Sequence, residues 1–322
     1  MTLQHRILVT GASGFVGTWL TRTLKELSAE ISIDVLTAGR GAGCDVDLDV
    51  VDRGAAVRAI RALQPTAVVH LAAVAAPMEA RKDPSNAWNV NFQGTINLAS
   101  AVLSEARNCR FIYAGSSEAY GQSFVHAADQ AVHEDYALKP MTVYGATKAA
   151  ADIALGQMYF DGLRSIRFRP FNHTGSGQAE TYVVPAFASQ VARIEAGLSR
   201  PVIEVGNLGA YRDFLDVRDV VQAYAIAALG KGEDSAEGQA YNLSSGKAVQ
   251  IRTILDILIR LSGLEIEVVA SPDRVRSIDI QMAKGDSRAA AYAFGWTPKF
   301  ELEDTVTAVL DDWRERIAKI KP

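Results

Sequence analysis

Hydrophobic positions along the chain follow two rhythms. Up to about residue 171, short β-branched and aliphatic runs alternate with longer stretches in which apolar side chains return every third or fourth position. The runs RILVT (6–10), DVLTA (34–38), AVVHLAA (67–73), RFIYAGS (110–116) and SIRFRPF (165–171) read as strands. The periodic stretches at 15–28, 53–63, 88–107 and 143–161 read as helices. Strands buried on both faces between helices predict an α/β architecture: a parallel, doubly wound sheet with right-handed crossovers.

Beyond residue 171 the pattern loosens. FNHTGSGQAETY reads as a loop and PAFASQVARIEAG as a helix. At 251–262, Ile251, Ile254, Leu255, Leu258 and Ile259 form the apolar stripe of an amphipathic helix. A last helix, DTVTAVLDDWRERIAKI, follows Trp296-Thr297-Pro298. No internal repeat or low-complexity linker separates the halves, so the second is expected to pack onto the first. The expected division is a first domain over 1–171, with later segments added to its sheet, and a smaller C-terminal α/β domain over 172–322.

Composition narrows the partners. The chain has 322 residues, 48% hydrophobic and 22% charged, which is ordinary for a globular protein. A net charge of −4 argues against nucleic acid or an anionic membrane as partner. Cys44 and Cys109 lie far apart without a CxxC, as expected in a reducing cytoplasm and without structural zinc. The start of the chain lacks the basic and apolar pattern of a secretion signal. The most apolar tract, TAVVHLAAVAAPM, is 13 residues long and contains His70, too short to span a bilayer. A cytoplasmic protein is expected.

Chemistry enters at ILVTGASGFVGTWL, where Gly11, Gly14 and Gly17 fall between the first strand and the first helix. Absent side chains allow a sharp turn and close approach of backbone to a pyrophosphate, while the helix N-terminus offers N–H donors and a positive dipole. In this strand-turn-helix context the spacing reads as a Rossmann-type dinucleotide site. The second strand then ends in Gly39-Arg40 instead of the acid that would accept from an NAD ribose. Arg40 therefore favours NADP(H), with NAD(H) possible, unless it is a solvated loop residue. Asp49 and Val50 stand where a third strand would end, suited to the adenine edge; a turn or N-cap aspartate is the structural alternative.

Ser116 follows the strand RFIYAGS and should emerge at the carboxyl edge of the sheet. Tyr144 and Lys148, four residues apart at the start of a helix, share one face. Hydride addition to a ketone builds charge on oxygen, which needs a proton donor and a hydrogen bond as it develops. Tyr144 is the expected donor and Ser116 the group that holds the oxygen. A free tyrosine has a pKa of about 10, and a neighbouring ammonium would lower it, which gives Lys148 a role besides gripping ribose hydroxyls. Ser116 lacks a G-x-S-x-G setting, and the five histidines show no metal-ligand spacing, so nucleophilic serine and catalytic metal are not indicated. His70 reads as a structural histidine. A cofactor-binding protein without turnover would have little reason to keep Ser116, Tyr144 and Lys148 together.

The chain resembles the extended short-chain dehydrogenase/reductases, the superfamily of nucleotide-sugar epimerases, dehydratases and reductases. TGASGFVG, HLAA, NVNFQGT, SSEAYG and YGATK appear in order through the first half. The resemblance implies that Ser13, Phe15, Val16, Leu71, Ala72 and Ala73 join the glycines, Tyr144 and Lys148 around the cofactor. It implies that Asn91 orders the active-site helices, and that the NVNFQGTINLASAV and Tyr144 helices form a four-helix homodimer interface. RPFNHTGSGQ, VGNLGAYRDFLDVRDVVQAY, YNLSSG and GWTP are similar to the GDP-sugar branch. That similarity makes 172–322 mainly a sugar-nucleotide-binding domain. It implies substrate contacts from Ser117, Glu118, Asn172, Val184, Asn207, Arg212, Arg276 and Asp279. VRSIDIQ departs from the branch's RPxEV: Arg276 is kept, whereas Ser277 replaces proline and Asp279 the usual glutamate. Reduction of the C4 ketone of GDP-4-keto-6-deoxy-D-mannose is the implied activity. The alternatives are GDP-mannose 4,6-dehydration, in which Glu118 would be a catalytic base, or another nucleotide-sugar epimerase or reductase.

Overall fold

A computed structural model describes residues 5–41, 43–271 and 280–320. Its strands are β1 (His5–Thr10), β2 (Ile33–Gly39), β3 (Val46–Asp47), β4 (Ala67–His70), β5 (Arg110–Ala114), β6 (Arg164–Pro170) and β7 (Asn172–Thr174). They continue with β8 (Val202–Val205), β9 (Tyr211–Asp216), β10 (Ala240–Leu243), β11 (Ala248–Gln250), β12 (Glu267–Ala270) and β13 (Met282–Ala283). Seven strands form one sheet in the order β10-β6-β5-β4-β1-β2-β3, every neighbouring pair parallel. The α/β doubly wound sheet is therefore the observed fold. Its strand order reverses between β1 and β4, which opens a crevice at their carboxyl ends.

Alternation along the strands assigns each residue to a face. Ile7, Val9, Ala67, Val69 and Ile112 join one core with Leu20, Leu24 and the helix Val217–Ala228. Leu8, Val68, Phe111 and Tyr113 join the opposite core, under the helices Arg53–Leu63, Thr95–Glu105 and Val143–Phe160. The first core also takes Tyr241 and Leu243 of β10, Phe294 and Trp296, so segments after residue 171 pack on the first sheet. A third core gathers Phe187, Val191, Leu255, Leu258, Val309 and Leu310, from the helices Val183–Glu195, Ile251–Ser262 and Leu302–Ile320. Beside it, β9 pairs with β7, β11 and β13, and β8 pairs with β12.

Two elements differ from the sequence expectation. β4 ends at His70 rather than residue 73, because the chain must leave the sheet where it passes the first glycine: a Cβ on Gly11 would lie 2.7 Å from the Ala72 backbone nitrogen. The helix expected over 88–107 is three pieces, Pro84–Trp88, a π-helical stretch Asn89–Gly94, and Thr95–Glu105. π-Turns of this kind often accompany functional sites.

Candidate active site

The turn after β1 is shaped for a phosphate. Gly11 has φ +69°, a left-handed conformation that glycine adopts freely. Gly17 packs so closely that a Cβ there would overlap the Gly11 carbonyl. Gly14 is the N-cap of the helix Phe15–Leu27, with no side-chain cap and no acid in the first turn. The N–H groups at this end, beginning with Phe15 and Val16, are thus offered to an outside acceptor beside exposed Ser13. Leu71, Ala72 and Ala73 line the same turn at half-buried positions, and the Ala72 N–H reaches Thr10 Oγ1 at 3.3 Å. A dinucleotide fits this cradle.

At the far end of that crevice Arg40 is exposed directly after β2. The nearby acids are engaged: Asp45 accepts from the Thr37 amide and hydroxyl at 2.9 and 2.7 Å, and Asp47 from the Gly41 amide at 3.2 Å. Asp49 and Val50 lie past the short β3 rather than at its end. The exposed Asp49 carboxylate accepts from Val51 N at 3.0 Å, which is the turn alternative. Val50 is buried against Gly94, and its carbonyl accepts from Asn97 at 3.2 Å.

Ser116, Tyr144, Lys148 and Glu118 come together at the carboxyl edge. Ser116 lies two residues past β5 and caps the 3₁₀ turn Ser117–Ala119, its Oγ accepting from Glu118 N at 3.1 Å. Thr142 caps the helix Val143–Phe160 by accepting from Gly145 N at 2.9 Å, and its hydroxyl donates to Glu118 Oε2 at 3.0 Å. Gly145 lets that helix come close, since a Cβ there would lie 2.6 Å from the Glu118 carbonyl. The Ser116 hydroxyl stands near enough to the Tyr144 phenol to favour its ionised form. Lys148 is buried, with Nζ donating to the Ala114 carbonyl at 2.7 Å and standing 6.0 Å from the Tyr144 ring centre.

The electrostatics correct one expectation. Burial, then the Glu118 charge, push the Tyr144 pKa up, and the nearby Ser116 hydroxyl opposes them only in part. The lowering expected from Lys148 does not prevail: its Nζ donates to the Ala114 carbonyl, and burial brings its own pKa down to about 7. The phenol accordingly keeps its proton, as a proton donor must.

Behind these groups Asn91 is fully buried in the π-helical stretch. It accepts from Val74 N at 2.7 Å and donates to Val74 O at 3.2 Å and Thr147 Oγ1 at 3.0 Å, tying the HLAA segment to the Tyr144 helix. His70 bridges Thr10 and Thr95 at 2.8 and 3.0 Å; burial first, and then the Lys148 charge, lower its pKa to about 3, so it is a neutral structural group. Among the described residues no group of three or more His, Cys, Asp or Glu could hold a metal.

On the substrate side Ser117 is buried beside Ser116, and exposed Asn172 opens β7. The next residue, His173, stacks on Phe15 of the glycine turn at 6.4 Å and 8°. Val184 is buried in the first turn of its helix. Asn207 follows β8 and accepts from Gly209 N at 2.9 Å. Arg212 on β9 donates to the carbonyls of Tyr211 and Ile280 at 2.8 and 2.6 Å. Arg276 and Asp279 lie outside the described residues. Sequence reasoning missed Thr142 and Tyr182. Tyr182 is half-buried and electrostatically coupled to Glu79, Glu118 and Tyr144. Its place before a helix carried no chemical signal, whereas Thr142 was legible as an N-cap.

Comparison with known proteins agrees with this geometry. The family model described as NAD dependent epimerase/dehydratase family matches residues 7–244. The chain is 35% identical over 254 residues to a GDP-6-deoxy-D-mannose reductase from Pseudomonas aeruginosa, covering 79% of this chain and 82% of that protein. A structure of RMD from Pseudomonas aeruginosa complexed with NADPH superposes with TM-score 0.85 and 31% identity, covering 97% of this chain and all (100%) of that one. A Thermus thermophilus UDP-glucose 4-epimerase complexed with NAD gives TM-score 0.80 and 26% identity over 96% and 99% of the two chains. The chain therefore belongs to the NAD-dependent epimerase/dehydratase family, and it is a nucleotide-sugar oxidoreductase of that family.

Proposed function

We propose that this protein uses NADPH to reduce the C4 ketone of GDP-4-keto-6-deoxy-D-mannose, giving GDP-D-rhamnose. The observation that carries this reading is the convergence of Ser116, Tyr144 and Lys148, from separate segments, at the carboxyl edge of the sheet. The similarity to a GDP-6-deoxy-D-mannose reductase supports the substrate, and the similarity to the NADPH complex supports the cofactor. Exposed Arg40 supports NADPH over NADH, because a guanidinium pairs with a 2′-phosphate.

The glycine turn and the N-terminus of Phe15–Leu27 would hold the pyrophosphate, and Lys148 the nicotinamide ribose. Bound there, the reduced nicotinamide supplies the hydride. Ser116 orients the ketone by donating to its oxygen, and Tyr144 gives that oxygen its proton as the C4 carbon becomes tetrahedral. Lys148 becomes useful as the phenol loses its proton, when an ammonium nearby favours the phenolate. Arg212 would meet the diphosphate from β9.

The second reading is GDP-mannose 4,6-dehydration, favoured by the place of Glu118: its charge acts on Tyr144 and its carboxylate is held by Thr142. Purified protein with NADPH and the keto sugar is expected to lose reduced-nicotinamide absorbance in step with product. Turnover of GDP-mannose without added reductant, and none of the keto sugar, would establish the dehydratase instead.

A homodimer through the NVNFQGTINLASAV stretch and the helix Val143–Phe160 is part of this proposal; exposed Ile153 on that helix, 61% accessible, supports an apolar contact. A cytoplasmic setting is also proposed, supported by two free cysteines, Cys44 and Cys109.

A further inference from the structure

The strand β6 breaks the rule for a central parallel strand. Its Ile166 and Phe168 point into one core as expected, but the alternate positions Arg167 and Arg169 place two arginines beneath the opposite helix layer. Both meet one carboxylate. Asp152 on the helix Val143–Phe160 is 1% accessible; it accepts from Arg169 Nε and Nη2 at 2.9 Å each and from Arg167 Nη1 at 2.9 Å. Asp152 lies one turn past Lys148 and two past Tyr144, on their face of the helix.

Arg169 also reaches the other catalytic segment. Its Nη1 donates to the Tyr120 hydroxyl at 2.8 Å and to the Glu134 carbonyl at 3.0 Å, and its guanidinium lies 5.1 Å from the Tyr120 ring centre. Tyr120 is fully buried and ends the 3₁₀ turn that Ser116 opens, its amide donating to Ser117 O at 3.0 Å. From there the hydrogen bonds run on to Asn242 of β10, which accepts from the Tyr120 hydroxyl at 2.8 Å. Asn242 in turn donates to the carbonyls of Val132 and Asp286 at 2.9 and 3.2 Å.

We propose that Arg169 is a positioning residue that sets the Tyr144–Lys148 helix in register with the Ser116 turn, holding the first through Asp152 and the second through Tyr120. A planar guanidinium that grips a carboxylate at two points fixes both rotation and translation of the helix that carries it. Arg167 grips the same carboxylate, but its other partners, the carbonyls of Asp152 and Gly238, leave the Ser116 turn untouched. Arg169 bridges both segments, as the Thr142–Glu118 hydrogen bond does, and so acts on the distance between the two hydroxyls. The proposal rests on the reading that these hydroxyls serve one ketone.

Two readouts separate positioning from mere stability, one of them needing no substrate. In Arg169→Met, kcat with NADPH and the keto sugar is expected to fall about 100-fold, the scale of an ångström-sized misplacement, with KM changed little. By NMR of lysine-labelled protein without substrate, the Lys148 resonance, identified by its absence in Lys148→Met, should titrate well above its wild-type value, as the loosened helix readmits water. Tyr120→Phe removes a single hydroxyl, so it keeps the test open should Arg169→Met fail to fold, and it should shift both readouts the same way by less. Loss of thermal stability alone, with kcat and the Lys148 titration unmoved in both variants, would overturn the proposal. If wild-type protein leaves the keto sugar unreduced, the assigned reaction falls, while the Lys148 titration still decides the role of Arg169.

Discussion

The two ends of the parallel sheet carry opposite kinds of charge arrangement. At the amino ends of the strands, Arg110 and Arg164 share Glu237 at 3.4 and 2.7 Å, and Arg61 holds Glu105 at 2.8 Å. A cavity of about 590 Å³ opens there, lined by His5, Thr66, Arg107, Arg110 and Arg164. At the carboxyl ends a buried lysine faces a carbonyl rather than a counter-ion, and a half-buried phenol is pressed toward its neutral form by desolvation and then by a nearby carboxylate. Room and charge at the first end are balanced within the protein, and such surface pairs are worth little. The second end holds groups whose ionisation is poised away from ordinary values, the usual mark of chemistry. Displaced ionisation occurs at both ends, since burial lowers the His5 pKa and raises that of Cys109 beside the cavity; it is the convergence of Ser116, Tyr144 and Lys148 that marks the second.

Substitutions at the two ends should differ accordingly. The largest effect is expected from Tyr144→Phe, which removes the proton donor: kcat should fall about 10³-fold or more while NADPH affinity, measured by fluorescence titration, stays near wild type. Retained turnover would mean that the acid lies elsewhere.

Lys148→Met should lower turnover about 100-fold yet stabilise the fold, and the sign follows from linkage. The Lys148 pKa is about 7 when folded against 10.5 for a free lysine side chain, so the unfolded chain binds more protons across that window and stability rises with pH through it. The buried charge costs its full amount below the folded value. The gain in thermal midpoint on Lys148→Met should therefore be greater near pH 6 than near pH 9. An equal gain at both would place the lysine in water.

A smaller change is expected from Arg40→Ser, with the preference for NADPH over NADH in kcat/KM dropping about tenfold, the value of one charge-assisted contact. Smallest of all is Arg164→Met at the amino end, which should leave kcat and KM within about twofold and cost about 1 kcal/mol or less in denaturant unfolding, given its part exposure.

The comparison also shows what a sequence displays. The glycine turn, Ser116 and the Tyr144–Lys148 pair were legible because each is local: a strand end, a helix start, one helical turn. Five strands of the seven-stranded sheet followed from their apolar runs, but β10 of that sheet, β7 through β9 and β11 through β13 were not visible, since two- to six-residue strands depend on distant partners rather than on their own pattern. Asp49 and Val50 were placed at a strand end that β3 does not reach, and local turn bonding decided their orientation. The effect of Lys148 on Tyr144 was misjudged because burial, which depends on the whole fold, outweighs proximity along a helix. Arg167 and Arg169 did leave a signal: two cations inside SIRFRPF, a segment otherwise built for the core.

The central claim is that the hydroxyls of Ser116 and Tyr144 serve the same oxygen, and a double-mutant cycle in kcat tests it most directly. With Ser116→Ala, Tyr144→Phe and the pair together, the double variant is expected to lose little more than Tyr144→Phe alone, as for groups that act as one unit. Losses that multiply would show two hydroxyls acting independently, and would contradict the shared oxygen.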